Sequence, residues 1–432
     1  MSKVGNYFES EKKQKREMLQ KFWDERVVKF NEKSINGLRD LMIQIHLPND
    51  PLNNNDITKL FDDIVKQKIN FEKFFEILQC YSLSLVHFIY EHESLFDQKH
   101  EIKAEDIADI KQYMSDKKMS AVISLGNAED NSLITLASEG NKLSDVFCIF
   151  SVGKIFTCML IFKMIEEKII SENDLNKPAQ LDEKIIEALP EKIQERLKEV
   201  TLLQLITRKS GIGYCRDKYH EDIEHRVKNN LPQITSINEL LPFIEKETGK
   251  NLNYTDGEML LVGFAIERAY EGKYGKHLGF NDILQKYIID KVGMSRFSNM
   301  MPKNTEQHQV KYNLADTIIT PNLIGGPAGS GMWMTVEDLA KFGQWVYDEY
   351  SSSNSRFRMF LENYAGRSFY YPESKLFAYI HMNPSASAFF SIFLNTGTFV
   401  VTLSNQRDMA ADLALMVIDK NFRKLEQLSI WG

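Results

Sequence analysis

Between Val146 and Phe162 the chain is apolar almost without interruption, and Lys154 lies at the middle of the run. Such a segment must be buried around most of its circumference, which leaves two environments, a bilayer or a protein core. The run is at the lower limit of length for a bilayer span, and a charge at the centre of hydrocarbon is costly. The expectation is a buried core helix with one polar position, beginning near Ser151 and continuing to about Ile169. Ser151 and Lys154 then lie on one face, one turn apart.

A helix buried on all sides needs a sizeable surround. With 432 residues, 43% of them hydrophobic and 26% charged, the chain can build a main domain and a smaller one. The formal charge of -7 is small for this length and argues against nucleic acid as a partner, since phosphate binding needs concentrated Lys and Arg. Lys12, Lys13, Lys15 and Arg16 do cluster, but Glu9, Glu11, Glu17, Asp24 and Glu25 are interleaved, as on a solvated helix face. Cys80, Cys148, Cys158 and Cys215 form no Cys-x-x-Cys pair and no regular spacing with His, so no metal site and no disulfide framework is expected. The N-terminus lacks the apolar stretch and small-residue cleavage site of a secretory signal. Reduced thiols and a cytoplasmic location, without a membrane span, are the expectation.

Along the chain, residues 1–105 read as an N-terminal helical module, with apolar stripes at Leu19, Phe22, Trp23, Val27 and Phe30, and again at Ile57, Leu60, Phe61, Ile64 and Val65. Such stripes are ordinarily core, and a docking role for a protein partner is the alternative. Residues 106–432 read as a second domain. Met119 to Leu125 and Ser132 to Ala137 are strands flanking a polar turn, and Ala179 to Leu197 is helical. Strands return at Phe377 to His381, Ala388 to Leu394 and Phe399 to Leu403, followed by a helix from Asp408 to Leu425. Strands at both ends of the domain and helices between them predict an α+β fold, one sheet built from the two ends and flanked by helices.

A serine hydroxyl is a poor nucleophile until a neighbouring base takes its proton, and an amine one helical turn away can do so. Phe147, Phe150, Ile155 and Phe156 would desolvate that amine, and the helix N-terminus favours the negative charge that develops during attack. The alternative is a capping serine with a lysine extended toward water. A phosphate-binding loop at Gly153-Lys154 is disfavoured, because Ile155 stands where Ser or Thr is required.

Phe150-Ser151-Val152-Gly153-Lys154-Ile155-Phe156-Thr157 resembles the active-site helix of the serine β-lactamase and penicillin-binding-protein superfamily, in its class C, esterase and D-alanyl-D-alanine carboxypeptidase branch. Four more segments are similar, in the family's order: Val200 to Ile212 with its Ser210-Gly211, Tyr254-Thr255-Asp256-Gly257, Val292-Gly293-Met294-Ser295, and the glycine-rich Ala328 to Ala340. The resemblance covers roughly residues 115–425. It implies an antiparallel sheet flanked by helices with a helical subdomain, and acyl transfer without a cofactor. Ser151 would be the nucleophile, and Tyr254 would share proton transfer with Lys154.

The sequence departs from the family pattern at three places, the first being Arg208-Lys209 where His-Thr is usual. Asp256 stands where Asn is usual, which replaces a neutral donor and acceptor with an anionic acceptor; it also suits an N-cap. The third motif is represented by His381-Met382-Asn383, where Pro384 has no N–H to offer an oxyanion hole. His381 could hold a substrate carboxylate, and a shifted register would leave Asn383 or Ser385 near the site. Two functions follow. One is a serine acyl hydrolase acting on a small ester, amide or peptide. The other is a catalytically weak or inactive relative whose pocket binds a ligand and whose N-terminal helices bind a partner.

Overall fold

In a computed structural model, the residues described are 104–207, 209–214, 222, 225, 229, 241–246, 257–296, 298–299, 312–314, 317–319, 326–352, 355–365, 369–371, 375–383, 386–406, 410 and 413. The expected helical module at 1–105 lies outside them except for its last two residues, and the helix expected at 408–425 lies outside them except for Ala410 and Leu413.

The chain enters through α1 (Ala104–Asp116), which buries Ile110 and Met114, and turns at Lys118, whose φ is 49°. β1 (Ala121–Asn127) and β2 (Ser132–Ala137) form a hairpin in the register Val122 to Ala137 through Asn127 to Ser132. The last strands of the domain complete the sheet: β11 (Leu376–Asn383), β12 (Ala386–Phe393) and β13 (Thr398–Ser404), with the short β10 (Tyr370–Tyr371) at one edge. The order is β10-β11-β12-β13-β1-β2 and every pairing is antiparallel. The two ends of the domain thus close one sheet, as the strand pattern predicts.

β1 and β12 are buried at every position, so both faces of the sheet's middle are covered, whereas edge strand β2 exposes Leu133. That is why these strands read as continuous apolar runs rather than as alternations. A later helix, α9 (Val336–Ser351), packs on β1, β12 and β13. Its Phe342 lies 5.6 Å from the Phe390 ring and stacks at 4.0 Å on Phe156 of the central helix.

That central helix is α2 (Gly153–Glu166), preceded by the short strand β3 (Phe147–Cys148) and a 3₁₀ turn, Phe150–Val152. Every residue from Gly153 to Phe162 is buried. From Gly153 on the apolar run is therefore a core helix, while its first part is strand β3 and the tighter turn that holds Ser151, which is not in the first α-helical turn. Among the described residues no helix is long and apolar enough to cross a membrane.

The helical subdomain packs beside α2. The helix expected over Ala179 to Leu197 is two helices, α3 (Glu183–Ala188) and α4 (Glu191–Leu197). Pro190 separates them, because the residue before a proline is pushed into extended backbone; Leu189 has ψ 153°. Thr201 and Gln204 form a capping box that starts α5 (Leu202–Ile206). A two-stranded ladder of β4 (Ile212–Tyr214) and β5 (Ile244–Lys246) follows. α6 (Gly257–Tyr274) then packs against α2 and α5, and α7 (Phe280–Leu284) runs into a π-helical turn and ends at Gly293 in the left-handed region, φ 69°.

β6 (Ser298–Asn299) comes next, then a hairpin of β7 (Tyr312–Leu314) and β8 (Thr317–Ile319). The glycine-rich segment forms one helical turn, α8 (Gly326–Gly329), and β9 (Met332–Met334). β9 is the middle strand of a second sheet, β3-β9-β6. α9 (Val336–Ser351), capped by Thr335, and α10 (Arg356–Phe360) lead back to the main sheet.

Candidate active site

β3 delivers the site. Phe147 pairs with Met334 and Cys148 with Trp333, and the Ile149 N–H donates to the Met332 carbonyl at 3.0 Å, so the strand ends in fixed register against the glycine-rich segment. The next residue, Phe150, has φ 47°, a left-handed conformation that costs a non-glycine residue about 1–2 kcal/mol. This sharp turn takes the chain from strand into helix with Ser151 at the bend, where the 3₁₀ turn contacts β11 and β12. Strain immediately before a buried serine is the kind of backbone cost that functional sites carry.

Ser151 is 1% exposed and Lys154 fully buried. Lys154 Nζ donates to Ser151 Oγ at 2.8 Å and to the Gly329 carbonyl at 3.2 Å, and lies 5.9 Å from the centre of the Tyr379 ring. The pair is therefore internal, and the alternative of a capping serine with a lysine extended toward water is not what is seen; no side chain caps the turn or the helix.

Three successive carbonyls of the glycine-rich segment are held by side chains of the serine segment. Thr157 Oγ1 donates to Ala328 O at 2.7 Å, Lys154 to Gly329 O, and the Cys148 thiol to Ser330 O at 3.6 Å. Gly153 permits this approach, since a Cβ there would meet Met332 Sδ at 3.3 Å. Burial pushes the Cys148 thiol up to about 12, with the Phe150 backbone N–H opposing, and burial also raises Cys158. Both are inert thiols of the core rather than second nucleophiles.

Two of the other family-like segments are structural. Val292 to Ser295 is a helix stop at Gly293, tied down because the buried Asp338 carboxylate accepts the N–H groups of Ser295 at 3.0 Å and Arg296 at 2.9 Å. Ser210-Gly211 makes a tight turn, with Gly211 at φ 69°.

Tyr254 and Asp256 lie outside the described residues, immediately ahead of α6. His381 and Asn383 are in β11, paired with Ala388 and Ala386, on the strand that carries Tyr379. Sequence reasoning brought Ser151 and Lys154 together but passed over Tyr379 and the Gly329 carbonyl. Tyr379 sits two residues before His381, so strand periodicity offered a signal for it. A carbonyl has no side-chain signature at all. Among the described residues no cluster of His, Cys, Asp or Glu is placed to hold a metal ion.

An antiparallel sheet closed by the first and last strands of the domain, with a buried Ser-x-x-Lys at a strand-to-helix bend, has the architecture of the serine β-lactamase and penicillin-binding-protein superfamily. The sequence model of the Beta-lactamase family matches residues 123–416, and the chain belongs to that family. The fold is similar to an octameric penicillin-binding protein homologue from Pyrococcus abyssi, with TM-score 0.54 and 18% identity, over 74% of this chain and 77% of that one. It is similar to a D-stereospecific amidohydrolase from Streptomyces sp., with TM-score 0.54 and 16% identity, over 74% and 99% of the two chains. A penicillin binding protein from Bacillus halodurans matches with TM-score 0.53 and 16% identity, over 72% and 98%. No curated protein gives a significant match to the chain.

Proposed function

We propose that this chain is a serine acyl hydrolase that works through an acyl-enzyme on Ser151. The observation that carries this is the buried 2.8 Å contact between Ser151 Oγ and Lys154 Nζ, with the amine held from its other side by the Gly329 carbonyl. With Nζ as the neutral amine, the same contact runs from the hydroxyl to nitrogen. Ser151 Oγ attacks a substrate carbonyl carbon while its proton passes to Lys154 or to Tyr254. The leaving group takes a proton as its bond to carbon breaks, and water then attacks the ester formed on Ser151 and restores the hydroxyl. In this reading Tyr254 is the second proton-transfer group, and Asp256, His381 and Asn383 are the residues assigned to bind substrate. The substrate is a small ester, amide or peptide.

Two features of the sequence favour a weaker catalyst: an acidic Asp256 in place of an amide, and Pro384 at a position that would otherwise offer an N–H. Loss of one oxyanion donor typically costs about a hundredfold or more in rate. The test uses a serine-reactive phosphonate and a fluorescent penicillin on the wild-type chain and on Ser151→Ala. Labelling of the wild type that the substitution abolishes is the expected result. An intact fold that neither reagent labels would overturn the hydrolase and leave a ligand-binding relative.

A further inference from the structure

We infer that Tyr379 is a positioning residue for the reaction proposed above: the face of its ring holds the Lys154 amine beside Ser151 and favours the ammonium that Lys154 becomes on taking the serine proton. This rests on the acyl-transfer reading of Ser151.

Lys154 is fully buried, and an amine is kept in such a place only where its surroundings replace the water it has lost. Its Nζ donates to Ser151 Oγ at 2.8 Å and to the Gly329 carbonyl at 3.2 Å, so the serine turn and α8 each supply an oxygen. The main sheet supplies a different kind of group. The centre of the Tyr379 ring lies 5.9 Å from Nζ, inside the range of about 6 Å over which an aromatic face attracts a cation.

Packing fixes that ring. Tyr379 stands opposite Phe390 in the ladder of β11 and β12 and is 8% exposed. Its ring lies 5.6 Å from that of Phe369, which is fully buried and whose carbonyl accepts the Ala378 N–H at 3.0 Å. Phe377, on the same face of β11, packs edge-on against Phe357 and Phe390 in the core. β11 also packs on the turn that holds Ser151. One strand therefore sets both the serine turn and the ring that meets the serine's partner amine.

In the attack the Ser151 proton moves to Nζ as Oγ bonds to carbon, so the amine gains a positive charge. An aromatic face attracts an ammonium far more than a neutral amine, and the ring thus contributes chiefly in the transition state. A contribution of that kind is read in the limiting rate rather than in the half-saturating concentration.

The test measures modification of Ser151 by a fluorophosphonate as a function of reagent concentration, in wild type, Y379F, Y379L and a chain with a trifluorinated phenylalanine in place of Tyr379. Phenylalanine keeps the ring face, leucine removes it, and fluorine withdraws its negative charge at nearly the same size. Y379L is expected to lower the limiting rate about tenfold to thirtyfold, with the half-saturating concentration changed less than about threefold, and Y379F to recover the rate to within about threefold of wild type. The fluorinated ring is expected to be at least about threefold slower than Y379F, and this pair carries the test if Y379L does not fold. A wild-type limiting rate in Y379L, Y379F as slow as Y379L, or equal rates with the plain and fluorinated rings would overturn the inference.

A resonance of Lys154 itself separates this inference from the reading beneath it. In a chain with isotope-labelled lysine, the Cε protons of Lys154 are identified by their loss in K154M. If wild type is never modified, the acyl-enzyme fails, yet Y379L must still move that resonance downfield, out of the ring's shielding, while Y379F leaves it in place. An unchanged Lys154 resonance in Y379L would refute the contact whatever the chemistry at Ser151.

Discussion

Thr157→Val isolates the contact between α2 and the glycine-rich segment. Thr157 is fully buried, Ala328 is 2% exposed, and the hydroxyl donates to the Ala328 carbonyl at 2.7 Å. Valine keeps the shape of the side chain and deletes only the donor. A buried acceptor deprived of its donor costs about 1–3 kcal/mol. With a urea slope of about 3 kcal/mol/M, that is a fall of about 0.3–1 M in the unfolding midpoint. The effect reaches the site because the neighbouring carbonyl, Gly329 O, receives Lys154. Phosphonate modification of Ser151 should slow about tenfold or more at denaturant concentrations where the chain is fully folded. The assays are urea unfolding followed by tryptophan fluorescence, and modification followed by intact mass. A midpoint within about 0.1 M of wild type, outside the range that a lost buried hydrogen bond allows, would refute the claim that this carbonyl is held by Thr157.

Gly257→Ala should destabilise by about 1–3 kcal/mol, because the added methyl meets the Gly213 backbone carbonyl rather than a side chain that can move; urea midpoints check this. Iodoacetamide followed by peptide mapping should leave Cys148 and Cys158 unmodified in the folded chain and modify both in denaturant, since burial raises both thiols. The folded state holds the Cys148 proton up to about pH 12, whereas the unfolded thiol ionises near 9.0, so this residue's contribution to stability is lost as pH rises between those values. Cys148→Ala should therefore lose stability less steeply than wild type from about pH 8 to about pH 10.5. Asp338→Ala leaves the N–H groups of Ser295 and Arg296 without that acceptor and should cost about 2–3 kcal/mol, read in the same midpoints.

The parts of this fold legible in the sequence are those fixed by local pattern. β1 and β2 are readable because a polar turn divides two apolar runs, and α2 because the apolar run around Lys154 suits a core helix, although its first part, Val146 to Val152, is strand and 3₁₀ turn. Ser151 and Lys154 are legible as a pair because a spacing of three sets their contact. The break between α3 and α4 was also written locally, in Pro190, but the flanking helical pattern overrode it. What could not be read are contacts between residues far apart in the chain, such as Lys154 with Gly329 and Tyr379, or Ser210 with Glu258. Ser210 reads as a turn serine and Glu258 as a first-turn acid, each fully explained by its neighbours. Only packing shows that the two bind each other.

The most direct test of acyl transfer is to trap the intermediate. The chain is mixed with an activated ester or a penicillin, quenched in acid and digested, and the acyl adduct is located by fragmentation. The expected result is one added acyl group on Ser151, which forms and then decays in wild type, is absent from Ser151→Ala, and forms much more slowly in Lys154→Met. An adduct on another residue, or one that forms equally well in Ser151→Ala, would contradict nucleophilic catalysis by Ser151.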